Sequence, residues 1–299
     1  MVCWSTDNGS VAIVGGVRTP FVKAGSQLRH VRLTELARVV MQETLYRHGW
    51  DGAALDEVIL GNVVMPAEAS NPARVAATQA GVPHHVPAST VQRNCASGIE
   101  AVGQGARRIH SGGAHSVLAA GGESMSSIPL VLPTSTLEPM GRLVRAKSLR
   151  HKMAALSSFR LRHLRPIAAL EQGLTDPLCD MIMGQTAEVL AHEFSISRTD
   201  QDGFALESHQ RAVRAMEAGH FEEQIVPIYC HPKYDAVATD IGPRPDQAPQ
   251  QLAKLRPIFD RRDGTVTVGN ACQITDGAAA LLLADGQRCR ADGLETLGT

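Results

Sequence analysis

From residue 11 to about 125 the chain alternates short apolar, β-branched runs with longer amphipathic stretches. That alternation confines it to an α/β architecture of strands joined by crossover helices. Residues 11–15, 58–64, 88–92 and 116–120 are the strand candidates. Most are continuous apolar runs, the pattern of parallel strands covered on both faces. Three helices fill the gaps. The first carries Leu33, Leu36, Ala37, Val40, Met41 and Leu45 on one stripe and stops at Gly49. The second opens with Asn71 as cap and Pro72 in its first turn. The third runs from about Cys95 to His110, with Ile99, Val102, Ala106 and Ile109 on one face and Gly112 just beyond its end.

After Gly121-Gly122-Glu123-Ser124-Met125 the alternation is lost until about residue 262, which predicts an inserted domain over 126–262 and a body made of 1–125 and 263–299. Within the insertion, 184–194 has Ala187, Leu190, Ala191 and Phe194 at helical spacing, and a longer helix is expected over 199–218. Both read as core-forming helices. Alternation resumes at Thr265-Val266-Thr267-Val268 and at 278–284. No tandem repeat or low-complexity tract is present.

A net charge of −1 argues against general nucleic-acid or membrane-surface binding, since a nearly neutral body exerts no long-range attraction. No run approaches the roughly 20 apolar residues needed to span a bilayer. Residues 1–10 lack both a basic region and an apolar core, so a cytoplasmic location is expected. The six cysteines, Cys3, Cys95, Cys179, Cys230, Cys272 and Cys289, are scattered without CxxC or zinc-type spacing, which predicts free thiols in a reducing compartment. One local charge feature stands out: residues 139–170 hold no acid but eight bases, Arg142, Arg145, Lys147, Arg150, Lys152, Arg160, Arg162 and Arg165. A solvated basic face and a landing site for phosphates or an acidic partner both fit it.

Cys95 follows a strand candidate and lies in Asn94-Cys95-Ala96-Ser97-Gly98, whose small residues allow a sharp turn into the third helix. Unpaired amides and the positive end of a helix dipole favour a thiolate there. A thiolate attacks carbonyls and thioesters, and amides of the same turn would stabilise the resulting oxyanion. A structural cysteine at a crowded turn fits the same spacing.

Other blocks bear on that choice. Val11-Ala12-Ile13-Val14-Gly15-Gly16-Val17-Arg18-Thr19-Pro20-Phe21, Gln92-Arg93-Asn94-Cys95-Ala96-Ser97-Gly98 and Ala119-Ala120-Gly121-Gly122-Glu123-Ser124-Met125-Ser126 are followed by Met183-Gly184-Gln185-Thr186-Ala187-Glu188 and Lys254-Leu255-Arg256-Pro257-Ile258-Phe259-Asp260. Gly264-Thr265-Val266-Thr267-Val268-Gly269-Asn270-Ala271 and Thr275-Asp276-Gly277-Ala278-Ala279-Ala280 complete the series. In this order, from residue 11 to about 285, they closely resemble the thiolases. Within that family, Arg160-Leu161-Arg162-His163-Leu164-Arg165-Pro166 and Ser208-His209-Gln210-Arg211-Ala212 look most like the fatty-acid-oxidation group that includes the trifunctional enzyme β subunit.

The resemblance implies a thiolase-like α/β fold, with this chain holding the first βαβαβαββ half and the inserted, CoA-binding loop domain. It implies an acetyl-CoA C-acyltransferase of fatty-acid β-oxidation in which Cys95 is acylated during thiolytic cleavage of a 3-ketoacyl-CoA. CoA contacts map onto Met183, Arg244 and Cys272. Many thiolases have serine at the last of these, and a small buried filler is an equal reading of Cys272. No metal or redox cofactor is implied, CoA and acyl-CoA being substrates. The implied partners are further copies in a homodimer or higher oligomer, and an enoyl-CoA hydratase/3-hydroxyacyl-CoA dehydrogenase subunit. Peripheral membrane contact through the basic stretch is also implied, and nucleic acid is not.

A thiolase also uses an Asn-Glu-Ala-Phe or His-Glu-Ala-Phe segment, a Gly-His-Pro histidine and a second cysteine in Cys-x-Gly, and none of these strings occurs here. Positioned acid/base groups are each worth roughly 10² to 10⁴ in rate. The expectation is a shortened thiolase, inactive alone, or a catalytically silent acyl-CoA-binding or oligomer-forming module.

Overall fold

In the computed structural model, residues 10–160, 163, 165, 167, 168, 173–232 and 234–299 are described. The body elements run β1 (Val11–Arg18), β2 (Val22–Lys23), α1 (Leu33–Arg47), β3 (Glu57–Gly61), α2 (Pro72–Gln79), β4 (Ala88–Val91), α3 (Ser97–His110) and β5 (Ser116–Ser124). The chain then passes through β6 (Leu130–Val131), α4 (Leu137–Arg145), α5 (Leu149–Ser157), β7 (Ile167–Ala168), β8 (Thr175–Asp176), β9 (Met181–Ile182), α6 (Met183–Glu193) and α7 (Arg198–Glu217). It continues through β10 (Ile228–Cys230), β11 (Asp235–Val237) and α8 (Pro249–Ala253), and returns with β12 (Thr275–Asp285) and α9 (Gly286–Ala291).

The main sheet has the order β1-β12-β5-β3-β4, with the short β2 also paired to β12. β3 lies parallel to β4 and β5, as the crossover pattern requires. β12 is antiparallel to both of its neighbours, so the sheet is mixed rather than wholly parallel. A strand that returns from a long insertion has no crossover helix to fix its direction, and the alternation in the sequence could not reveal it.

Both faces of the sheet are covered, and the side-chain alternation shows it. Val58, Leu60, Leu118, Ala120, Leu282 and Ala284 join α1 and α2 in one core. Ile59, Val117, Ala119 and Leu283 join α3 in the other. Leu36, Val40 and Met41 of α1 are wholly buried, each contributing about 1.5–3 kcal/mol of apolar burial. Just beyond α1 stands Gly49, whose φ of +58° is the left-handed conformation that suits glycine. At α2, the Asn71 side chain accepts from the Arg74 amide (3.3 Å), and Pro72 occupies the first turn.

Three helix-face expectations are corrected. α3 buries Ser97, Ala101, Gly105 and Ile109, whereas Ile99 is 78% exposed. α6 buries Ala191 but leaves Leu190 and Phe194 exposed, and α7 buries only Asp202. Helical spacing determines which side chains share a face; whether another element covers that face is a tertiary matter. The fourth correction concerns Thr265-Val266-Thr267-Val268, which has strand-like composition but forms an irregular segment with its amides bonded to side chains.

The chain between β5 and β12 is fastened back to the sheet at the end of β1. The Arg18 guanidinium makes a two-point ion pair with Asp240 (2.8 Å on each arm) and lies 5.3 Å and 5.1 Å from the ring centres of Phe21 and Phe221. Arg18 also exchanges backbone hydrogen bonds with Gln224 and Val226, both 2.8 Å.

Candidate active site

The turn between β4 and α3 is built on glycine contacts. Gly61 and Gly121 pair across β3 and β5, and the first turn of α3 rests on them. A Cβ on Gly61 would lie 2.3 Å from the Ser97 carbonyl, and one on Gly121 would lie 3.1 Å from the Gly98 Cα. The turn itself is closed by buried Ser97, whose hydroxyl accepts from the Arg93 amide (2.8 Å) and donates to the Asn94 carbonyl (2.6 Å). Asn94 takes a left-handed φ of +48°, a conformation that asparagine tolerates.

Cys95 sits in this turn, exposed, two residues before the helix proper. Its exposure removes the reading of a cysteine buried as packing. The amides of Ala96 and Ser97 already donate to Arg93 and Asn94 carbonyls (3.1 and 3.0 Å), which takes these two out of the oxyanion donors expected from the turn. Beside it, the Arg93 cation is paired with Glu100 (2.7 Å). Hydrogen bonds from Gln104 and Arg93 hold the Glu100 carboxyl down to about 2.

The predicted CoA contacts lie elsewhere in the chain: Met183 and Arg244 between β5 and β12, and Cys272 just before β12. Met183 is the first residue of α6 and is 56% exposed. Arg244 is exposed, and its backbone amide donates to Nδ1 of His209 on α7 (3.2 Å). Burial, aided by the Arg244 charge, pushes the His209 imidazole below its ordinary value, favouring the neutral acceptor form. Cys272 is exposed, with its thiol donating to the Gln273 carbonyl (3.4 Å), so the buried-filler reading of Cys272 does not hold.

The structure links these three. Gln273 donates to the Gly242 carbonyl (3.4 Å), joining the Cys272 and Arg244 segments. α7 carries His209 and also Gln201 and Asp202, which bond Thr265 Oγ1 (2.9 Å) and Asn270 Nδ2 (3.0 Å). α6 reaches the same segment through Glu188. Cys95 is connected to them through the sheet, because β12 starts three residues after Cys272 and pairs with β5 under Gly98.

Sequence reading missed several polar residues that shape this region. Glu123 accepts from Asn62 Nδ2 and the Val63 amide (both 2.9 Å), and burial pushes its carboxyl above the ordinary range despite those donors. Asp276, fully buried on β12, accepts from the Ser126 amide (2.8 Å) and hydroxyl. Each stood inside a quoted motif, but only the fold shows what it holds. The five described cysteines are free thiols. Among the described residues no helix is long and apolar enough to cross a membrane.

Comparison with known proteins agrees with this architecture. The family described as "Thiolase, N-terminal domain" matches residues 11–287. A 3-ketoacyl-CoA thiolase of Yersinia pestis (strain Pestoides F) is 36% identical over 288 residues, 96% of this chain and 65% of the relative. The chain thus spans about 65% of the length of such curated relatives. The crystal structure of the Bacillus anthracis acetyl-CoA acetyltransferase superposes with a TM-score of 0.85 at 36% identity, covering 98% of this chain and 70% of that one. Human mitochondrial 3-ketoacyl-CoA thiolase in complex with CoA gives a TM-score of 0.82 at 31% identity, covering 96% and 67%. With the family matched over residues 11–287 and the fold shared with solved thiolases, the chain belongs to the thiolase family.

Proposed function

We propose that this chain carries the acyl-accepting part of a thiolytic acyltransferase acting on 3-ketoacyl-CoA. The Cys95 sulfur adds to the 3-keto carbon, the C2–C3 bond breaks, and its electron pair leaves on acetyl-CoA, which then takes up a proton. A second CoA thiol displaces Cys95 from the shortened acyl group. Met183, Arg244 and Cys272 are the proposed CoA contacts, and the body 1–125 with 263–299 and the insertion 126–262 are the proposed units. The human relative whose structure contains CoA supports CoA as ligand. The observation that carries the reading is the exposed Cys95 thiol in a glycine-seated turn at the head of α3.

Incubation with a 3-ketoacyl-CoA or an alkylating reagent, followed by mass spectrometric mapping, tests it. Preferential modification of Cys95 is expected. Even modification of all the cysteines refutes the nucleophile assignment.

A second reading, a silent acyl-CoA-binding or oligomer-forming module, is favoured by one observation: these 299 residues contain neither Gly-His-Pro nor Cys-x-Gly. Sustained CoA-dependent turnover by the purified chain excludes this reading, whereas CoA binding without turnover supports it.

For the basic stretch, the proposed partner is an anionic membrane surface. α4 exposes Leu137, Met140 and Val144, and α5 exposes Leu149, Met153 and Leu156, apolar stripes flanked by Arg142, Arg145, Lys147, Arg150 and Lys152. Apolar side chains beside cations match the lipid interface better than a nucleotide does. Arg160 and Arg165 are exposed as well, while Arg162 lies outside the described residues. Charge reversal at Arg160, Arg162 and Arg165 is expected to weaken binding to phosphatidylserine vesicles with strong salt dependence and to leave CoA affinity unchanged. Loss of binding to a hydratase/dehydrogenase subunit with vesicle binding intact assigns the surface to that protein instead. Collapse of CoA affinity alone assigns it to the nucleotide.

A further inference from the structure

Gly184 and Glu188 stand one turn apart on the same face of α6. The Phe259 ring lies flush against the first, since a Cβ on Gly184 would sit 2.2 Å from ring atoms. The second reaches the loop backbone. Glu188 Oε2 accepts from the Thr265 amide (2.8 Å) and hydroxyl (3.0 Å), and its Oε1 accepts from the Val266 amide (2.9 Å). The chain from Phe259 to Val266 is therefore laid along α6, ring at one end and amides at the other.

Beyond Val266 the loop is closed by its own side chains. Asn270 Oδ1 accepts from the amide of fully buried Thr267 (2.7 Å), and Asn270 Nδ2 donates to Asp202 (3.0 Å) and to the Thr265 carbonyl (3.1 Å). Thr265 Oγ1 donates to Glu188 and accepts from Gln201. A run of β-branched residues would ordinarily pair as a strand; here the amides that a strand would use are taken by a carboxylate. Met183 opens the helix that carries this carboxylate, and Cys272 follows directly on the loop it holds.

We propose that Glu188 is a positioning residue for coenzyme A: by fixing the 264–271 loop against α6, it sets how Met183 and Cys272 face one another across the ligand's thiol-bearing arm. The inference rests on the CoA contacts proposed above. It adds a residue that those contacts do not include and a physical link between two of them. A carboxylate is suited to the task, because hydrogen bonds to a charged acceptor are stronger than those to a neutral one, and both of its oxygens face donors.

Glu188→Gln and Thr265→Val test this on the full chain, by amide hydrogen exchange of residues 264–271 and by titration with CoA. In Glu188→Gln one oxygen is replaced by an NH₂ group that faces other donors. Exchange of the 264–271 amides is expected to quicken at least about tenfold and CoA affinity to fall about tenfold, with exchange in β5 and β12 unchanged. Thr265→Val removes one hydroxyl, and a fall of about threefold is expected. Met183→Ala combined with Glu188→Gln should weaken CoA by less than the product of the single effects, since both act through one contact.

Faster loop exchange with wild-type CoA affinity overturns the inference, and so does weaker CoA binding with unchanged loop exchange, which would make Glu188 a direct contact. If Glu188→Gln does not fold, the same two measurements on Thr265→Val decide in the same way. Wild-type chain that fails to bind CoA overturns the CoA reading and this inference together, whereas wild-type binding that is indifferent to Glu188 overturns this inference alone.

Discussion

Gly61, the last residue of β3, is in backbone contact with Gly98 in the first turn of α3: a Cβ on Gly61 would sit 2.6 Å from the Gly98 nitrogen. No L side chain fits that gap, and the obstructing atoms are backbone that cannot rotate away. Gly61→Ala should therefore destabilise the chain by about 2 kcal/mol or more and displace the turn that presents Cys95. Urea denaturation would read the first effect, and the rate of Cys95 alkylation relative to Cys179 the second. A variant of wild-type stability and reactivity would mean that α3 is not seated as described.

The Arg18–Asp240 pair joins β1 to the loop between β11 and α8 with both side chains largely buried, 15% and 12% exposed. Asp240 also accepts from the Phe21 amide (2.7 Å). Asp240→Ala leaves the guanidinium buried between two rings without its anion, and a loss of about 3 kcal/mol is expected by chemical denaturation. Arg18→Met, which keeps apolar contact with the rings, should suffer as well, because the Asp240 carboxylate is then the stranded charge.

Glu123 gives a pH signature. Burial raises its folded carboxyl above the ordinary 4.5, so between that value and the folded one the native state binds more protons than the unfolded state. Its contribution to stability is present below about pH 4.5 and is lost as pH rises through the folded value. Glu123→Gln, which does not titrate, should flatten the decline in unfolding free energy across that window. An unchanged profile would show that another group governs the slope.

Asn71 caps α2 and does more than cap. Its Oδ1 also accepts from the Thr90 hydroxyl (2.8 Å), and its Nδ2 donates to the Ala88 carbonyl (3.0 Å). Asn71→Ala should cost about 2 kcal/mol, near 1 for the cap and the rest for unpaired groups on β4. Asn71→Asp, which keeps the acceptor and loses the donor, should fall in between.

How much was legible in the sequence varies with the range of the interaction concerned. Four of the five strands before residue 125, the three helices between them and their stops were readable because periodicity, an Asn-Pro start and glycines after helix ends are local signals, while the two-residue β2 (Val22–Lys23) carries no such signal. Cys95 was readable in the same way, as a small-residue turn between a strand and a helix. Motif order carried the family; it also suggested Met183, Arg244 and Cys272 as CoA contacts, without indicating what holds any of them.

Tertiary structure alone decided the rest. β12 lies antiparallel in the middle of the sheet, although nothing within Thr275–Asp285 encodes the direction from which it returns. Ile99 faces outward from a helix whose opposite stripe is buried, because exposure depends on which element arrives to cover a face. Thr265 and Val266 have strand composition and give their amides to Glu188, 77 residues away from Thr265 in sequence. A segment's intrinsic preference is worth a few tenths of a kcal/mol per residue, while a set of charge-assisted hydrogen bonds that exists only in the folded chain is worth several times that, so there the distant partner wins.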